Sequence, residues 1–200
     1  TAYEIRPRDW SSDVCSSDLP SPMRVSVFCA SSPTVHQKYI DLATDLGTGI
    51  GKRGWELVSG GGRISCMGAV ARAARENGAK TIGVIPESLV KIEFADHDSD
   101  ELIVVKDMRE RKGKIETLAD SFVILPGGAG TLEEFFEIWV GRFLKFHDKP
   151  IVILDPFDLY QPLLNLIEHL ERENFVKPGQ RELLFWAKDV EQALDFISQQ

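Results

Sequence analysis

Two glycine turns and a few charged residues near them carry the chemistry open to this 200-residue sequence. Pro126-Gly127-Gly128-Ala129-Gly130-Thr131 follows the apolar, partly β-branched run 122–125 and precedes a long amphipathic stretch. A strand that stops at glycines and restarts as a helix gathers free backbone N–H groups and the positive end of the helix dipole, which suits a phosphate. The glycines are expected to permit backbone angles and close approaches that a Cβ would block. Thr131 reads as the start of the helix, with Glu133 and Glu134 in its first turn. A carboxylate there either caps the dipole or stands over whatever the glycines hold. The second turn, Gly60-Gly61-Gly62, follows the run 55–59 and leads through Ser65-Cys66-Met67-Gly68 into an alanine-rich helix ending near Asn77-Gly78.

Neither turn is a Walker loop, because no Gly-Lys-Ser/Thr follows, and neither has the GxGxxG spacing. No lysine stands out as a Schiff-base partner for pyridoxal phosphate. What remains is a phosphate cradle with a carboxylate and an arginine nearby. Breaking a glycosidic bond develops positive charge on the sugar, and a carboxylate such as Glu134 stabilises that charge or activates the attacking water. Arg109 or Arg111 can fork onto a phosphate or hold a carboxylate ionised. Taken alone, however, Arg109-Glu110-Arg111-Lys112 reads as a solvated helix start, since charge runs usually face water.

The elements that must position these residues alternate. Strands are expected at 24–30, 55–59, 81–85, 102–105, 122–125 and 151–154, with an edge strand at 183–187. Helices are expected at 35–53, after the second glycine turn, at 108–119, from Thr131 onward, at 159–170 and at 190–197. This predicts a single-domain, Rossmann-like, doubly wound parallel sheet with helices on both faces. Ligands of such sheets bind beyond the carboxyl ends of the strands, where the strand order reverses. The acidic stretch 87–100 reads as a solvated loop, since its carboxylates lack a metal-ligand spacing.

Composition narrows the partners. A net charge of −8 and a pI near 5.1 disfavour nonspecific nucleic-acid binding. No apolar run suggests a membrane span and no secretory signal is evident, so a cytoplasmic protein is expected. Cys15, Cys29 and Cys66 form an odd set without metal spacing, which argues against a disulfide framework. Residues 1–22 repeat Ser-Ser-Asp, are punctuated by Pro7, Pro20 and Pro22, and are expected to be disordered. The string at 8–19 also resembles a translated sequencing adapter, so the functional argument rests on residues 23–200.

Residues 24 to about 197 resemble the LOG ("Lonely guy") family of cytokinin riboside 5′-monophosphate phosphoribohydrolases, often labelled lysine decarboxylases. The resemblance is carried by SGGGRISCMGAVARAA at 59–74, MRERK at 108–112, PGGAGTLEE at 126–134 and HDKP at 147–150. It implies Arg111 and Glu134 as the catalytic pair and Gly127, Gly128, Gly130 and Thr131 as the 5′-phosphate site. Ser59, Gly60 and Gly61 would shape the other wall, Met67 would lie near the base, and Lys112 would complete the family's arginine-lysine pair. The implied reaction is hydrolysis of the N-glycosidic bond of an N6-modified adenosine 5′-monophosphate by a homodimer, without metal or organic cofactor. The surplus of aromatic residues at Phe135, Phe136, Trp139, Phe143 and Phe146 fits a homodimer, although core packing is the simpler expectation for Phe136, Trp139 and Phe143. The chain departs from the family pattern at Ser65-Cys66 and at Ala129, both beside the implied ligand. Two other functions stand beside this one: a non-catalytic nucleotide- or molybdopterin-binding carrier or sensor, and a general AMP nucleosidase.

Overall fold

The computed structural model describes residues 21–90 and 94–200. The disorder expected of residues 1–22 therefore falls, up to residue 20, outside the described residues. Short β-branched runs form seven strands: β1 Arg24–Phe28, β2 Glu56–Ser59, β3 Thr81–Pro86, β4 Glu101–Val105, β5 Ser121–Ile124, β6 Ile151–Leu154 and β7 Leu184–Ala187. Between and after them the described residues form six α-helices: α1 Gln37–Lys52, α2 Ser65–Glu76, α3 Met108–Leu118, α4 Ala129–Phe143, α5 Gln161–Arg172 and α6 Val190–Ser198. The strands make one sheet in the order β4-β3-β2-β1-β5-β6-β7, and every pairing is parallel. The chain steps outward from β1 to β4, returns through α3 to β5 beside β1, and then steps outward the other way. The order thus reverses between β1 and β5.

Side chains alternate across the sheet with the period of a strand. Val25, Val27, Val123, Val152 and Leu154 pack with Leu46 and Ile50 of α1, Val70 of α2 and Leu194 of α6. On the opposite face Phe122, Ile124, Ile151 and Ile153 meet Ile115 of α3, Phe135 and Trp139 of α4 and Ile167 of α5. Each such buried side chain contributes roughly 1.5–3 kcal/mol, against about 0–1 kcal/mol for an exposed ion pair such as Arg53–Glu191, so packing sets the fold. Among the described residues no helix is long and apolar enough to cross a membrane.

Three local expectations change. First, α4 starts at Ala129 with Gly128 as its N-cap, two residues before Thr131, so no acidic residue lies in its first turn. Glu133 and Glu134 fall in the second turn, beyond the reach of dipole capping. Second, α4 stops at Phe143, where Lys145 takes a positive φ of 64°, and Phe146 is left 76% exposed. Phe135 and Trp139 are buried, whereas Phe136, expected in the core, is 38% exposed. Third, the acidic loop is only partly solvated. Asp96 is buried and paired with Arg75 at 2.8 Å, and Asp100 accepts from both the N–H and the hydroxyl of Thr81. The Thr81 backbone bond, first among the causes, holds the Asp100 carboxyl below its ordinary range. Among the described residues no group of three or more His, Cys, Asp or Glu is gathered as metal ligands would be.

Candidate active site

The order reversal separates the crossover after β1 from the crossover after β5, and a cleft of about 530 Å³ opens between them. Cys29 to Ser32 line it from the end of β1, and Pro126 to Thr131 from the end of β5. Tyr39, Met67, Met108 and Leu159 give it apolar walls, while Arg111, Glu133 and Glu134 supply charge.

The turn after β5 works by space rather than by unusual backbone angles, since none of Gly127, Gly128 and Gly130 takes a positive φ. A Cβ on Gly127 would stand 2.2 Å from Thr131 Oγ1, so only glycine lets buried Thr131 fold back over the turn. A Cβ on Gly128 or Gly130 would meet nothing within 4 Å. Leu132 N–H makes a bond to the Gly128 carbonyl at 3.0 Å. The N–H groups of Ala129, Gly130 and Thr131 therefore have no carbonyl of a preceding helical turn to bond.

Arg111 arrives on α3. Asp107 caps that helix, its Oδ1 accepting from the N–H groups of Arg109 at 2.9 Å and Glu110 at 3.0 Å. Arg109 and Glu110 face solvent, as the charge run suggested, but Arg111 turns inward and is only 5% exposed. Its Nη2 donates to the Gly60 carbonyl at 3.1 Å and its Nη1 lies 3.5 Å from Met108 Sδ. Its Nε is buried without a hydrogen-bond partner among the described residues. A buried, unspent donor on a cation is costly, by about 1–3 kcal/mol, and is a reason to look for an acceptor outside the chain.

Glu134 is half-buried and lines the cleft from α4. Its charge and that of Arg111 are both felt at Cys29. Burial pushes that thiol well up, Cys66 and Glu134 push it further, and Arg111 opposes them. Burial therefore favours the thiol over the thiolate at Cys29.

The remaining expected residues divide. Met67 lines the cleft. Ser59, Gly60 and Gly61 do not line it, and Gly60 stands against Arg111: a Cβ on Gly60 would lie 1.8 Å from Arg111 Nη2. Gly61 adopts φ +74°, with Ser59 Oγ accepting from its N–H at 3.3 Å. Lys112 does not line the cleft but makes ion pairs with Glu133, which does, and, at 2.6 Å, with Glu137. These bonds, Glu133 first, raise its pKa.

Residues 67–197 match the family model described as possible lysine decarboxylase. Over 177 residues the chain is 47% identical to the cytokinin riboside 5′-monophosphate phosphoribohydrolase of Mycobacterium tuberculosis, a match that covers 88% of this chain and 94% of that protein. The chain belongs to the LOG family. A Mycobacterium marinum protein of the same name is 44% identical over 178 residues, covering 89% of this chain and 95% of the relative. An Arabidopsis thaliana LOG protein is 40% identical over 169 residues, 84% of this chain and 74% of its own. The LOG fold is shared more widely. The molybdenum cofactor binding protein of Rippkaea orientalis superposes with a TM-score of 0.68 at 21% identity, covering 89% of this chain and 96% of that one. The molybdenum cofactor carrier protein of Chlamydomonas reinhardtii does so at 0.65 and 24%, covering 89% and 97%.

The last LOG motif, HDKP, ties elements together outside the cleft. His147 Nε2 donates to the Ile138 carbonyl at 2.9 Å, and Lys149 Nζ donates to the Glu116 carbonyl at the end of α3. Sequence reasoning missed the wall made by Cys29 to Ser32 and Tyr39. The rule that ligands sit at an order reversal, applied to the first strand as well as the fifth, would have pointed there.

Proposed function

We propose that this chain hydrolyses the N-glycosidic bond of an N6-modified adenosine 5′-monophosphate, releasing the free base and ribose 5-phosphate. The reading is carried by one juxtaposition: an open glycine turn shares a cleft with a buried, partly unspent arginine and a carboxylate. The names of the relatives at 40–47% identity support the substrate and the bond.

In this reading the 5′-phosphate rests on Gly127, Gly128, Gly130 and Thr131, against the first-turn donors of α4. The base lies toward Met67. Water adds to C1′ as the C1′–N bond breaks, and the bond's electron pair leaves with the base, which takes up a proton. The Glu134 carboxylate offsets the oxocarbenium charge that develops on the ribose. Arg111, held by Gly60, presents its spare donor to that carboxylate or to a ribosyl or phosphate oxygen. Gly60 acts from behind Arg111, Ser59 and Gly61 shape the turn that carries Gly60, and Lys112 acts through its ion pairs. The protein works as a cytoplasmic homodimer, without nucleic acid or membrane. Phe136, Val140 and Leu144, spaced four apart along and just past α4 and 38–51% exposed, form a stripe that a second copy would cover.

Chromatography of products from AMP and, separately, from isopentenyladenosine monophosphate tests the reading. Release of base from both, faster from the prenylated substrate, is expected. Release from AMP alone would make this a general nucleosidase, and binding without release would make it a carrier. Glu134→Gln should retain nucleotide binding while turnover falls by about 100-fold or more. Unchanged turnover would remove Glu134 from the mechanism. Light scattering reports the dimer.

A further inference from the structure

Tyr160 lies outside the cleft, in the turn between β6 and α5, and is 4% exposed. Its hydroxyl is 3.1 Å from the Leu125 carbonyl and 3.2 Å from the Gly127 carbonyl, the carbonyls on either side of Pro126. The residue is anchored in turn by buried Asp155, whose Oδ2 accepts from Tyr160 N–H at 2.6 Å and whose Oδ1 accepts from Phe157 N–H at 3.3 Å. Burial pushes the phenol well up, more than the bond to Gly127 draws it down, so it remains a donor at any working pH.

The described peptide bonds are all trans. In a trans peptide the carbonyl and the following N–H point in opposite directions. With the Gly127 carbonyl turned to Tyr160, the Gly128 N–H is turned away from it, at the N-terminus of α4 where the first-turn donors gather. The Leu125 carbonyl is followed by Pro126, which has no N–H to misdirect. The hydroxyl therefore fixes the direction of one donor at no expense to another. Glycines flank that peptide and would let it rotate once released.

We propose that Tyr160 is a positioning residue: its hydroxyl locks the Gly127–Gly128 peptide so that the turn presents its N–H groups to the phosphate end of the substrate. This rests on the phosphoribohydrolase reading, and it makes Tyr160 act on the phosphate half of the ligand while leaving the base half alone.

The test is Tyr160→Phe in the full chain, with direct binding of ribose 5-phosphate and of free adenine measured by calorimetry beside the steady-state kinetics. Affinity for ribose 5-phosphate should fall about tenfold, or ~1.4 kcal/mol, with adenine changed by less than about twofold. KM for the nucleotide should rise about tenfold while kcat moves less than about threefold. Asp155→Asn keeps the hydroxyl and loosens its anchor, so it should show the same selectivity at smaller size. Equal weakening of both ligands in either variant, or unchanged ribose 5-phosphate binding in Tyr160→Phe, overturns the proposal. Wild-type protein that binds ribose 5-phosphate but releases no base refutes the reaction and leaves this test standing. Wild-type protein that binds no ribose 5-phosphate overturns both.

Discussion

After β2 the backbone is closed in, with Arg111 against Gly60 and Ile85 and Leu102 against Gly61, whereas after β5 a Cβ on Gly128 or Gly130 would meet nothing within 4 Å among the described residues. In sequence the two turns look like variations on one design. In the fold the first seats an arginine and the second opens onto the cleft. A glycine tells little by itself about which it does. What decides is whether the rest of the chain has claimed the room where its side chain would be.

Substitutions at the two turns should therefore differ in kind. Gly60→Ala should have the largest effect: the added methyl would sit 1.8 Å from Nη2 and 2.9 Å from Cζ of Arg111, forcing the guanidinium out. Turnover should fall by about 100-fold or more, as when a preorganised donor is removed. A normal kcat would mean that Arg111 does not need its seat. Gly127→Ala, opposed by Thr131, should lower stability by about 1–3 kcal/mol, read from chemical denaturation, and raise KM. Gly130→Ala should be the mildest and the most telling. In the first turn of α4 and free of clashes, it should stabilise the fold by roughly 0.5–1 kcal/mol while KM rises several-fold, because the methyl enters the space assigned to the phosphate. An unchanged KM would show that the phosphate binds elsewhere.

Much of this was legible in the sequence, because strand runs and helical spacing are local signals. All seven strands lie within about two residues of where period and composition put them, and the parallel sheet follows from their alternation with helices. The start of α4 was misread because Thr131 has the chemistry of a cap, yet it is drawn back over Gly127 while Gly128 takes the cap position. Arg111 could not be told from its charged neighbours, since inward rotation of one residue in MRERK depends on the Gly60 carbonyl, 51 residues away. The role proposed for it is carried by the family resemblance rather than by the charge pattern. The hold of Tyr160 on the glycine turn spans 33 to 35 residues and leaves no pattern in either segment.

Adjacent residues on α3 reach different partners: Arg111 donates to the Gly60 carbonyl, and Lys112 pairs with Glu133 and Glu137 on α4. The Lys112 contact braces the two helices that carry Arg111 and Glu134, the pair proposed for the chemistry. The spacing of Arg111 and Glu134 is thus tensioned at the edge of the cleft, by a strut between charges that are partly in water. Dissolved salt screens such charges. In the proposed reaction, ionic strength then becomes a dial on the geometry of the catalytic pair.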